Sequence, residues 1–69
     1  MSDDPRKYIM VYTRLSYEIN MTLGAGTSLL VRNTAEEFDV SHGTVHKAFK
    51  MLEEDGLIKY YQGIGWIVT

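Results

Sequence analysis

No cysteine occurs in this sequence, so disulfides and Cys-ligated zinc are both excluded and the apolar core alone must hold the fold. That composition suits a reducing compartment, and cytoplasmic localisation is expected. No apolar run approaches the roughly 20 residues that span a bilayer, so no membrane partner is expected. The opening Met1-Ser2-Asp3-Asp4-Pro5 is acidic where a secretory leader is basic. Positive charge is not in excess either: seven Lys and Arg stand against nine Asp and Glu, a net charge of -2. Many nucleic-acid binders are basic overall, so this balance points away from a uniformly basic surface. Nor is there length for two cores, since 69 residues fit one domain of marginal stability in which each apolar position matters.

Net charge hides placement. Residues 1–5 are expected to form a flexible tail carrying Asp3 and Asp4, and Glu53, Glu54 and Asp55 are bunched in one run. Between Val40 and Met51 stand His42, His46, Lys47 and Lys50 with no acid among them. The chain is acidic on average and basic in one stretch.

The apolar residues Tyr8, Ile9, Tyr12, Leu15 and Ile19 recur at helical spacing, and Pro5 behind Asp4 suits a first helical turn with Asp as cap. Arg14 and Glu18, four apart, fit its exposed side. Gly24-Ala25-Gly26 breaks this helix. Thr27 to Val31 reads as a short extended segment. Thr34 with Glu37 three residues on matches a capping box, predicting a short second helix with Ala35 and Phe38 inward and Asp39 at its end. Ser41 can cap a third helix, along which Val45, Ala48, Phe49 and Leu52 form one apolar stripe. Gly56 supplies a left-handed stop. Beyond it, residues 57–61 and 66–69 are strand-like, with Gln62-Gly63-Ile64-Gly65 as the turn between them.

The resulting class is mainly α with a small β-hairpin, in the order helix, short strand, helix, helix, two-stranded hairpin. Two helices joined by a tight turn, the second presenting polar and basic groups, make a helix-turn-helix, and a hairpin behind them is a wing. The B-DNA major groove admits one α-helix, whose N-terminal residues reach base edges and whose free N–H groups favour a phosphate. On that reading Ser41, His42, Gly43, Thr44 and His46 face the groove, while Lys47 or Lys50 meets a phosphate. Gln62 and Gly63 at the wing tip track the minor groove. Tyr60, Tyr61 and Trp66 are expected to pack against the helices.

The run Val40-Ser41-His42-Gly43-Thr44-Val45-His46-Lys47-Ala48-Phe49 is followed by Leu52-Glu53-Glu54-Asp55-Gly56-Leu57-Ile58 and then Gly63-Ile64-Gly65-Trp66-Ile67-Val68. Together these resemble the DNA-binding domain of GntR-type bacterial transcriptional regulators, from Tyr8 to Val68. The resemblance implies a winged helix-turn-helix fold and sequence-specific binding of double-stranded DNA, with a palindromic operator and repression as the expected output. Two departures stand out. The Leu-Pro-Ser stretch with an Arg usual before helix two reads Leu29-Leu30-Val31-Arg32, with Arg32 matching the phosphate-binding Arg. Where the family often carries Arg in the recognition helix, this chain has His42 and His46, whose charge is not fixed as that of Arg is.

His42 and His46 also form a His-x-x-x-His pair, but no third ligand stands at a sensible spacing, so no metal or other cofactor is expected. No acid or oxyanion motif accompanies Ser41 and His46, so catalysis is not expected. The alternative to DNA binding is a winged-helix protein-interaction module. Family members join this domain to a C-terminal effector-binding and dimerising domain. With none following Thr69, the expectation is an excised domain, monomeric in dilute solution.

Overall fold

The computed structural model describes residues 4–69. Its elements run α1 (Pro5–Met21), β1 (Ser28–Leu29), α2 (Val31–Phe38), α3 (His42–Glu54), β2 (Ile58–Tyr61) and β3 (Gly65–Val68).

Helix α1 begins where the sequence places it. The Asp4 carboxylate accepts from the Arg6 backbone N–H at 3.0 Å, and Pro5 occupies the first turn, where a missing N–H costs nothing. Asp4 and Pro5 therefore belong to the helix rather than to a flexible tail, and the rest of that expected tail lies outside the described residues. Hydrogen bonds from the Arg6 side chain and backbone hold the Asp4 carboxyl below its ordinary range. The cap is thus complete above that range and is lost as pH falls below it, through the lowered titration of the folded state.

The buried stripe of α1 is Val11 and Leu15, flanked by the partly buried Tyr8, Tyr12 and Ile19. Ile9, from the same set of apolar residues at helical spacing, is 47% exposed. One residue is about 100° of helical rotation, which carries Ile9 off the row that Tyr8, Tyr12, Leu15 and Ile19 share. Val11 lies close enough to that row to be buried instead.

Helix α2 departs more from expectation. It starts at Val31, one turn before the Thr34 capping box, and its N-cap Leu30 makes no side-chain cap bond. Thr34 sits inside the helix, 5% exposed, with its N–H donating to the Leu30 carbonyl at 3.0 Å. Val31, Thr34, Ala35 and Phe38 form an i, i+3, i+4, i+7 row against the core, and burial of that row outweighs a local cap. Extended structure accordingly shrinks to Ser28–Leu29.

Asp39, in the left-handed region at φ 56, ends α2, and the Val40 N–H reaches back to the Ala35 carbonyl at 3.0 Å. Three residues, Asp39 to Ser41, then separate α2 from α3. Helix α3 stops in the same way, with Gly56 at φ 77 and the Leu57 N–H on the Leu52 carbonyl at 3.0 Å. Both stops turn an apolar residue, Val40 or Leu57, back onto the core.

The hairpin is not a free ribbon. All three strands form one antiparallel sheet in the order β1-β3-β2, with Ser28 opposite Ile67 and Tyr60 opposite Trp66. Hydrogen bonds from Gly26 N–H to the Val68 carbonyl (2.8 Å) and from Val68 N–H to the Thr27 carbonyl (2.9 Å) extend this attachment. The core, built from Val11, Leu15, Ala35, Val45, Ala48, Phe49, Leu52, Ile58 and Val68, lies where α1, α2 and the sheet close around α3. The Tyr12 hydroxyl donates to Asp55 and ties α1 to the end of α3. That bond, with some desolvation, raises the phenol above its ordinary range, so Tyr12 keeps its proton through neutrality and loses it only in strongly alkaline solution. No helix among the described residues is long and apolar enough to cross a membrane.

Candidate nucleic-acid interface

Helix α3 has two unlike sides. Thr44, Val45, Ala48, Phe49 and Leu52 are buried, and His42, Gly43, His46, Lys47 and Lys50 are exposed. The burial of one side fixes the direction of the other, because successive residues turn by about 100°.

Ser41 opens this helix as the sequence predicts: its Oγ accepts from the Thr44 N–H at 3.1 Å. The hydroxyls of Ser41 and Thr44 also share a hydrogen bond at 3.0 Å. Thr44, however, is only 2% exposed. Its expected place facing the groove is corrected here: it packs inward and braces the cap, because its Cβ falls on the same side as Val45 and Ala48. Ser41→Ala should therefore cost about 1 kcal/mol of stability, measured as a lower urea midpoint with an unchanged slope. An unshifted midpoint would show that the cap contributes nothing.

The two lysines are engaged within the chain. Lys47 Nζ stands 5.5 Å from the centre of the Tyr8 ring, and Lys50 Nζ lies 3.5 Å from Glu53 Oε1. Both contacts are at the surface, where ion pairs are weak and easily exchanged. Arg32 is exposed in the first turn of α2.

On β2, period two puts Tyr60 on the same side as the buried Ile58, facing α3, with Lys59 and Tyr61 on the other side. Trp66 lies opposite Tyr60 on β3, its ring 5.1 Å from Tyr60 and 5.4 Å, edge-on, from Phe49. Trp66 thus packs against a helix as predicted. Tyr60 and Tyr61 do not, being 49% and 44% exposed. The hairpin runs past the region that the helices cover, which sequence alternation alone does not reveal.

Between α3 and the hairpin runs an open cleft of about 350 Å³ lined by His46, Lys50, Glu53, Tyr60 and Trp66. Beyond it the hairpin tip carries Gln62, Gly63 and Ile64, all exposed. Gly63, at φ 83, makes a turn that a side chain would strain. Ile64 is 68% exposed, an apolar side chain at the tip that the sequence reading passed over; its place at the centre of the turn was the available signal. Glu53 and Tyr60 come beside His46 only through the docking of the hairpin, which the sequence does not reveal. Among the described residues no group of three or more His, Cys, Asp or Glu could hold a metal ion. The structure brings Ser41, His42, Gly43, His46, Lys47 and Lys50 onto one helix, with Gln62 and Gly63 on the adjoining hairpin, and Arg32 stands apart on α2.

A family model described as bacterial regulatory proteins, gntR family, matches residues 7–68. Among solved structures, a GntR family transcriptional regulator from Listeria monocytogenes shares 31% identity at a TM-score of 0.84, covering 100% of this chain and 62% of that one. A transcriptional regulator from Oenococcus oeni shares 30% identity at a TM-score of 0.85, over 100% of this chain and 59% of that one. The AraR DNA-binding domain, solved in complex with operator ORR3, shares 29% identity at a TM-score of 0.85, over 91% and 78%. The chain thus spans about three fifths of the length of the first two. No curated protein sequence matches it.

Proposed function

The chain belongs to the gntR family of bacterial regulatory proteins, and from that membership we propose that it is the DNA-binding domain of a transcriptional regulator. Family and fold are those of transcription regulators rather than enzymes. In this reading α3 enters the major groove with His42, Gly43 and His46 toward base edges and Ser41 at a phosphate. Lys47, Lys50 and Arg32 meet the sugar-phosphate strands, and Gln62, Gly63 and Ile64 meet the minor groove. The observation that carries the reading is the polar side of α3, turned away from the core and flanked by the hairpin, in a fold shared with AraR domains solved on operator DNA. A cytoplasmic repressor, dimeric through a further domain and matched to a palindromic operator, completes the proposal.

Binding of this kind releases counterions, so log affinity should fall linearly with log salt, by about 0.9 per phosphate neutralised. Affinity should also rise on the acid side of neutrality. An imidazole that gains a proton adds a positive charge to the side of α3 that faces the DNA, so acid favours binding. Fluorescence anisotropy with a labelled duplex in salt and pH series measures both. Binding that ignores salt, or no binding to any duplex, would sink the proposal. The net charge of -2 favours a second reading, a protein-interaction module. Chemical-shift changes on adding duplex DNA that spare both α3 and the hairpin would select it.

A further inference from the structure

The cleft between α3 and the hairpin has a consequence for how DNA would sit, given the reading above on which it rests. The major and minor grooves of a duplex are separated by one sugar-phosphate strand. A helix in the first groove and a hairpin tip in the second must therefore straddle that strand, and whatever lies between them faces it. In this molecule the cleft is lined by His46, Lys50, Glu53, Tyr60 and Trp66.

We propose that this cleft seats one phosphate and its deoxyribose, with Tyr60 packing on the sugar and Glu53 limiting affinity by holding Lys50. The geometry suits each role. Trp66 is wedged edge-on against the buried Phe49 and forms a fixed floor, on which the half-exposed ring of Tyr60 rests at 5.1 Å. Tyr60 thus offers a held apolar face for a sugar and a hydroxyl that can donate to a phosphate oxygen. Lys50 supplies the positive group, and His46, one helical turn away, lines the same wall with an imidazole N–H that can donate. Glu53 opposes that charge. Its carboxylate lies 3.5 Å from Lys50 Nζ, in a pair open enough to exchange. A phosphate entering the cleft takes Lys50 from Glu53 and then faces that carboxylate, so Glu53 weakens binding twice. An acid at this position weakens binding most at low salt, where its charge is least screened, and spares the domain from holding every duplex tightly.

The test uses anisotropy with a fluorescein-labelled, mixed-sequence duplex about two helical turns long, in a salt series. Glu53→Gln should tighten binding about fivefold at low salt. Tyr60→Ala should weaken it by a similar factor, with Tyr60→Phe between that variant and the parent. Glu36→Gln, which makes the same charge change on the exposed surface of α2, should have a much smaller effect. Far-UV circular dichroism confirms that each variant is folded. A folded Glu53→Gln with unchanged or weaker binding overturns the proposal, and so does an equal gain from Glu36→Gln. If the parent binds no duplex, the DNA-binding reading fails and this inference with it.

Discussion

Replacing Phe49 by Ala is expected to lower stability by about 3–5 kcal/mol, enough to leave a domain of this size largely unfolded at room temperature. Phe49 is fully buried on the inner side of α3, and its ring meets the edge of Trp66 at 5.4 Å. It therefore joins the helix to the sheet. Truncation removes transfer energy and leaves a cavity that neither the helix nor the three-stranded sheet can close without moving. Chemical denaturation followed by tryptophan fluorescence reads the effect directly, because Trp66 is the sole tryptophan and sits on the lost ring. Leu52 and Val45 are equally buried, but neither makes a ring contact to the hairpin. Phe49→Leu should recover most of the loss by refilling the volume. A Phe49→Ala variant within about 1 kcal/mol of the parent would mean that the hairpin is held by its strand pairing with β1 instead.

The second large effect concerns binding. His42→Arg combined with His46→Arg should tighten binding to duplex DNA at least about tenfold near neutral pH, since Arg can meet phosphate or guanine with two hydrogen bonds and carries its charge at every pH. Both residues are exposed on α3, so the substitutions should leave the core intact. The salt slope should steepen by about 0.9 for each new phosphate contact. The gain on acidification should disappear, because the groups whose charge depends on pH are gone. Parallel salt and pH titrations of parent and variant measure all three effects. An unchanged salt slope together with a retained pH response would show that neither residue faces the DNA.

Helices α3 and α2 differ in how far local sequence decides them. The bounds and the apolar row of α3 are legible: Ser41 caps it, Gly56 stops it, and Val45, Ala48, Phe49 and Leu52 mark the buried side. Each signal is local and all agree, so no tertiary force needs to choose between them. At α2 they disagree. Thr34 and Glu37 offer a cap, but Val31 and Thr34 gain more by burial, and the helix starts a turn early. Position 44 shows the same limit. A threonine one turn into a helix can face solvent or core, and only the placement of Val45 and Ala48 beside it turns Thr44 inward.

Local sequence set the order of elements, the start of α3 behind its Ser41 cap, the hairpin that follows it, and a local basic stretch in an acidic chain. Tertiary structure alone decided that β1 pins the hairpin as a third strand, that Thr44 leaves the surface, and that Tyr60 and Glu53 join His46 and Lys50 around one cleft. The reason is one of range. Caps, stops and periodicity act within a few residues and can be read along the chain. Strand order and cleft lining depend on contacts such as Phe49 with Trp66, which exist only once distant segments have packed.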